Sequence, residues 1–174
     1  MKFIAIFWAL SASLLLAEVT KFKVGNFSFT ASDSWIQGAS SHMVKAAFNH
    51  GKKEGPLLKF YHFGARQGGG VQANLERWKK QFQDHQDETK VKVTPEEKTY
   101  GDQKVIIVTM TGTYMVGGIM ERNKVATPNF MLLGAIIPHP TGDVFLKMTG
   151  PEADLKKVKA DFEKLISSAF PAKK

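Results

Sequence analysis

The segment Lys104–Val116, KVIIVTMTGTYMV, constrains this chain more than any other. It is rich in β-branched residues and too apolar for a sheet edge, so it reads as a strand with neighbours on both sides. Two further apolar runs follow, Phe130–Pro138 (FMLLGAIIP) and Val144–Thr149 (VFLKMT), with a turn at Pro140-Thr141-Gly142-Asp143 between them. Gly117–Asn129 reads as a loop. Strands in series with hairpin-length connections imply an antiparallel sheet.

The remaining segments extend that sheet and cover it. Phe22, Val24, Phe27 and Phe29 alternate around Gly25-Asn26, which marks an N-terminal hairpin. Ala31–Trp35 reads as a turn, with Trp35 plugging one end of the core. His42–His50 places Val44, Ala46 and Phe48 on one face and pairs with Pro56–Gly64 (PLLKFYHFG). Val91–Thr99 carries Pro95 and alternates weakly, as an edge strand does. Two segments show helical spacing. Val71, Leu75, Trp78 and Phe82 share one face of a helix predicted over Val71–His85. Gly150-Pro151 opens a second helix with Pro in its first turn, acids Glu152 and Asp154 near its positive end, and a stripe of Leu155, Val158, Phe162, Leu165, Ile166 and Ala169. Lys156, Lys157, Lys159 and Lys164 coat its outer side. The fold class is α+β: a mostly antiparallel sheet covered by two main helices.

The N-terminus sets the compartment. Met1-Lys2 precedes the apolar stretch Phe3–Leu10 and Leu14–Leu16, and Ala17 offers a small residue for cleavage. Residues 1–17 read as a secretory signal peptide, too short for a membrane span of ~20 residues. Residues 18–174 then form a single domain, exported to the periplasm or the medium and not membrane-spanning. A domain of this size buries roughly two-thirds of its unfolded surface and needs no covalent staple. Its cysteine count is zero, which excludes disulfides, thiol catalysis and thiolate metal sites. The formal net charge is +8, with lysines scattered rather than clustered. That bias suits an acidic protein, an envelope component or a small anion as partner, or serves solubility alone. Nucleic acid is not expected, since neither a basic arm nor a stacking motif is present.

Candidate chemistry concentrates at Arg66-Gln67-Gly68-Gly69-Gly70, just before the first helix. Glycines at a helix N-terminus leave amide groups open to an anion, and Arg66 adds a cation. Asn74 and Arg77 lie on one flank of the same helix, with Gln81 continuing it. The anion-binding set is thus Arg66, Gly68, Gly69, Gly70, Asn74 and Arg77. The competing reading makes the loop a plain strand-to-helix connector that Asn74 and Arg77 hold in place. The loop lacks the Gly-Lys-Ser/Thr ending of a nucleotide P-loop. Of the five histidines, His50 and His62 can meet if their hairpin brings them together, a weak metal reading without a supporting carboxylate cluster. No catalytic residue, cofactor or metal is assigned, because neither a nucleophile–base arrangement nor a convincing acid pair stands out.

The order of elements resembles the PsbP-like fold, an antiparallel sheet sandwiched by helices. That fold is shared by the extrinsic P protein of photosystem II, a Ran-binding nuclear import factor and many small exported bacterial proteins. The resemblance rests on FSFTASDSW (Phe27–Trp35), on the hairpin ending in KFYHFG, and on the last helix ending at Ser167-Ser168-Ala169-Phe170. A group of small, uncharacterised, exported bacterial proteins is similar at GARQGGGVQANLERWKKQF (Gly64–Phe82), GTY (Gly112–Tyr114) and KMTGP (Lys147–Pro151). The resemblance implies an α/β/α sandwich and export, and it carries no activity. It also raises the metal reading slightly, since some proteins of this fold are metal-associated. The expected function is an exported, non-enzymatic binding or accessory domain. The alternatives are a small enzyme or anion-binding protein built on the glycine loop and, more weakly, a metal-handling protein.

Overall fold

Alternating apolar residues build a seven-stranded antiparallel sheet in the order β3-β4-β5-β9-β8-β7-β6. The computed structural model describes residues 19–117 and 123–170; the segment 1–17, read as a signal peptide, lies outside them. The strands are β3 (Trp35–Gln37), β4 (Val44–His50), β5 (Leu57–His62), β6 (Lys92–Tyr100), β7 (Gln103–Val116), β8 (Val125–Ile137) and β9 (Val144–Pro151). A separate hairpin of β1 (Thr20–Val24) and β2 (Phe27–Ala31) turns at Gly25-Asn26. The helices are α1 (Gly70–Lys79) and α2 (Glu152–Ser167). As the composition of their strands requires, β7, β8 and β9 lie inside the sheet, and β6 with Pro95 forms an edge.

Each face of the sheet is covered, giving an α/β/α sandwich. On one face α2 and the β1–β2 hairpin close the larger core around Phe29, Phe48, Phe60, Leu133, Leu146 and Phe162. On the other, α1 and the segment after it close a smaller core around Trp78, Phe82, Met110, Leu132 and Phe145. The predicted stripe of α2 is buried at Leu155, Val158, Phe162, Leu165 and Ile166, with Ala169 partly buried beside it. Of its lysines, Lys159 leaves the outer side to join Glu96 at 3.4 Å and Glu163 at 3.3 Å. Lys98 also meets Glu163, at 2.7 Å, so this cluster ties α2 to the β6 edge.

Four local expectations are corrected. Trp35 is buried as expected, yet it opens β3 and pairs with His50 rather than ending a turn. A bulge between Val44 and Ala46 sets Val44 opposite Tyr61 and Ala46 opposite Phe60, so these two residues occupy opposite faces. The loop expected over Gly117–Asn129 ends early, because β8 begins at Val125 and continues the ladder with β7. Pro128 and Asn129 stand at the register shift of that ladder, where a missing amide costs no hydrogen bond. Finally, α1 stops at Lys79. Beyond it the chain adds to β7: the Gln83 amide donates to the Thr113 carbonyl at 2.7 Å and the Met115 amide to the Gln81 carbonyl at 2.9 Å. Phe82 is buried as expected, but from this bridge opposite Tyr114 and not from a helix. Pro151 caps α2 from just before its first residue.

Candidate functional site

The α1 face of the central strands is where sequence alternation produces an unusual pair. Lys59 in β5 and Lys147 in β9 interrupt apolar runs, and the sheet register sets them directly opposite each other. Like charges in that position oppose folding. On its other side Lys147 neighbours Gly134 of β8. The missing side chain there is filled by Trp78 of α1: a Cβ on Gly134 would lie 2.2 Å from Trp78 Cζ3. The Trp78 ring therefore seats α1 on the sheet and walls off one side of Lys147.

A recess of about 470 Å³ opens over this pair, lined by Lys59, Arg77, Lys80, Lys124 and Lys147, with Tyr61, Gln81, Tyr114 and Phe130 among its other walls. None of these five cations pairs with a described carboxylate, and the described lining holds no acid or histidine. The Lys147 ammonium donates to Gln81 Oε1 at 2.9 Å. The Tyr114 hydroxyl donates to the same oxygen at 2.6 Å. Burial brings the Lys147 ammonium down to about 8, and Lys59 and Lys124 push the same way. Burial likewise raises the Tyr114 phenol to about 12, with Tyr61 adding to it. A desolvated cation held by one neutral oxygen, among further cations, is a site arranged to receive negative charge.

A second recess of about 150 Å³ adjoins the first and shares Tyr61, Arg77, Gln81 and Lys147 with it. Its remaining walls are mostly apolar: Met43, Phe63, Trp78 and Phe145. Phe63 stands 6.3 Å from Tyr61 and 6.1 Å from Phe145, ring centre to ring centre.

The residues singled out from sequence fall into two groups. Asn74 and Arg77 line the second recess, and Arg77 also lines the first. Arg66 and Gly68, Gly69 and Gly70 line neither. The three glycines take consecutive left-handed conformations, with φ of 87°, 85° and 68°, which explains their choice in this connector. Buried Asn74 donates to the carbonyls of Gly68 at 2.7 Å and Gly70 at 2.6 Å, and accepts from Arg77 at 2.6 Å. Arg66 is exposed with φ 59°. Asn74→Ala is expected to cost about 1–3 kcal/mol, since the Gly70 carbonyl loses its side-chain donor and the Gly68 carbonyl keeps only Arg77 at 3.4 Å; urea denaturation measures it.

His50 and His62 do not meet. They occupy opposite ends of the β4–β5 hairpin: His50 stands opposite Pro56, six residues before His62, or about 20 Å at ~3.3 Å per residue. His50 instead faces Asp161 at 3.0 Å, and His62 the Asp143 carbonyl at 3.2 Å. Among the described residues no three side chains of His, Asp and Glu converge. Sequence reasoning missed Lys59, Lys147 and Tyr114, and placed Gln81 with Asn74 and Arg77 beside the glycine loop rather than against Lys147. The available signal was a single lysine inside each of two strongly apolar strands.

No protein-family model and no curated protein matches the sequence. The solution structure of cyanobacterial PsbP (CyanoP) from Synechocystis sp. PCC 6803 superposes with a TM-score of 0.55 at 12% identity, covering 92% of this chain and 96% of that one. The fold is PsbP-like. A crystal structure of a Pseudomonas aeruginosa protein of unknown function, titled a putative regulator, matches with a TM-score of 0.45 at 14% identity, covering 90% of this chain and 99% of its own. At such identities the PsbP-like likeness is one of fold. Among the described residues no helix is long and apolar enough to cross a membrane.

Proposed function

We propose that this chain is an exported, non-enzymatic binding or accessory domain whose partner presents an anion to the recess over Lys147. One observation carries the reading: Lys147 is desolvated directly opposite Lys59, with Lys124, Lys80 and Arg77 around it and no described acid in the lining. A fold gains nothing from that arrangement by itself, which favours a ligand that brings negative charge to it. Lys147 and Tyr114 both donate to the neutral Gln81 Oε1 and neither meets a described carboxylate or histidine that could act as its base, which favours binding over catalysis. Export rests on the N-terminal segment: recovery of the protein in the cytoplasmic fraction alone would refute it, and an intact Met1 on exported protein would refute cleavage near Ala17.

Sulfate is a suitable probe, compared with chloride at matched ionic strength. It is expected to raise the thermal midpoint through specific binding on top of general surface exclusion. Lys147→Met is expected to remove that specific increment while raising the stability of the free protein by about 1 kcal/mol, because a buried charge disappears. Arg66→Ala is expected to change neither. A specific increment that survives Lys147→Met overturns this assignment, and one that Arg66→Ala abolishes moves the site to the glycine loop.

The pH dependence has a definite sign. The groups facing Lys147 are Lys59 and Tyr61 from β5, Arg77 and Lys80 from α1 and its end, Tyr114 from β7 and Lys124 before β8. Anion binding is expected to be strongest below pH 8 and to weaken as pH rises through about 8, where Lys147 loses its proton. In the free protein the depressed value of this base means that the unfolded chain binds more protons between about 8 and the ordinary lysine value of 10.5. The contribution of Lys147 to stability therefore rises with pH across that window. Titration calorimetry at pH 7 and pH 9 checks the binding prediction.

A further inference from the structure

We infer that the ligand is a small organic carboxylate bearing one apolar group the size of a benzene ring, with its carboxylate at Lys147 and its apolar part among Met43, Tyr61, Phe63 and Phe145. This rests on the anion reading of the same recess and names what that anion is attached to. The two recesses share Tyr61, Arg77, Gln81 and Lys147, so they form one groove with a cationic lobe and an apolar lobe meeting at the Lys147 ammonium. A free inorganic anion uses only the first lobe. The second is lined by rings and a methionine, and two of its walls, Met43 and Phe63, remain 50% and 36% exposed. Exposed apolar side chains at the mouth of a concave surface are what a ligand's apolar part would cover.

Size and charge narrow the class. An apolar cavity of about 150 Å³ accommodates benzene, and the apolar lobe has about that volume. Long acyl chains exceed it. Where the lobes meet, Arg77 already donates to Asn74 at 2.6 Å and to the Gly68 carbonyl at 3.4 Å. That leaves the Lys147 ammonium, held only by the neutral Gln81 oxygen, as the deep charge at the junction, and one ammonium balances one carboxylate. Lys59, Lys80 and Lys124 line only the cationic lobe, so at the junction Lys147 matches a single carboxylate charge, whereas the second charge of a phosphate would have to reach across to them. Gln81 adds polarity at the same point, with Oε1 already accepting from Lys147 and Tyr114.

The test is titration calorimetry of the full-length mature protein at pH 7 with 3-phenylpropionate, propionate, 3-phenylpropan-1-ol and phenyl phosphate. 3-Phenylpropionate is expected to bind about tenfold or more tightly than propionate, through burial of the ring, and about tenfold more tightly than the alcohol, through the charge. Lys147→Met is expected to erase the preference for acid over alcohol. Met43→Ser, at a half-exposed position, and Phe63→Ser, with its fold checked by thermal denaturation, are expected to weaken 3-phenylpropionate while leaving the sulfate increment, which uses the other lobe, intact. Equal binding of propionate and 3-phenylpropionate overturns the inference while the anion reading stands. Tighter binding of phenyl phosphate overturns the choice of carboxylate. Absence of binding by all four, together with no Lys147-dependent sulfate effect, overturns the anion reading itself.

Discussion

Trp78→Ala is expected to destabilise the protein by about 3–5 kcal/mol, the cost of removing a large buried aromatic side chain. Trp78 is 5% exposed and joins the smaller core to the bare backbone at Gly134. The reciprocal change, Gly134→Ala, places a methyl group 2.2 Å from Trp78 Cζ3 and 2.8 Å from Cε3. Its expected cost is about 1–3 kcal/mol or more, because the ring has packed neighbours and the glycine lies inside the sheet. The two changes are coupled. In Trp78→Ala the space above Gly134 is vacant, so adding Gly134→Ala is expected to be nearly neutral or stabilising. Urea denaturation of the two single variants and the double variant measures the cycle. Additive costs would show that the ring does not rest on this glycine. Because Trp78 also walls the apolar lobe beside Lys147, the same variants are expected to weaken ligand binding.

Phe162→Ala is expected to cost a similar amount, about 3–5 kcal/mol, on the opposite face of the sheet. Phe162 is fully buried and belongs to the larger core beneath α2. The consequence for function differs. The Lys147 recess lies on the α1 face, and no residue of α2 lines it. At temperatures where Phe162→Ala remains folded, anion binding is expected to be unchanged. Chemical denaturation combined with calorimetry separates the two faces: Trp78→Ala affects both stability and binding, Phe162→Ala stability alone. A cost below about 1 kcal/mol for Phe162→Ala would mean that α2 is seated by its ion pairs rather than by its apolar stripe.

The contrast between these faces also shows which features the chain carries locally. Period-two alternation and turn residues are properties of neighbouring residues, so the hairpins, the inner position of β7, β8 and β9, the edge strand with Pro95 and the buried stripe of α2 were legible in the sequence. The requirement for glycines before α1 was legible for the same reason, since left-handed backbone is a local demand that Gly68, Gly69 and Gly70 meet.

What only the tertiary structure decided is long-range register. The spacing of Val71, Leu75, Trp78 and Phe82 suits one helix, but pairing of Gln81–Gln83 with Thr113–Met115 supplies backbone hydrogen bonds that end α1 at Lys79. One bulge in β4 moves Val44 to the opposite face from Ala46, a change that no local pattern announces. The candidate site depends on register most of all. Lys59 and Lys147 are unremarkable as single lysines in distant strands; pairing of β5 with β9 makes them cross-strand neighbours. Packing of Trp78 on Gly134 then encloses that side, and burial together with the neighbouring cations lowers the proton affinity of Lys147. Local sequence specifies which residues alternate, and the non-local pairing of strands specifies which charges must share one low-dielectric recess.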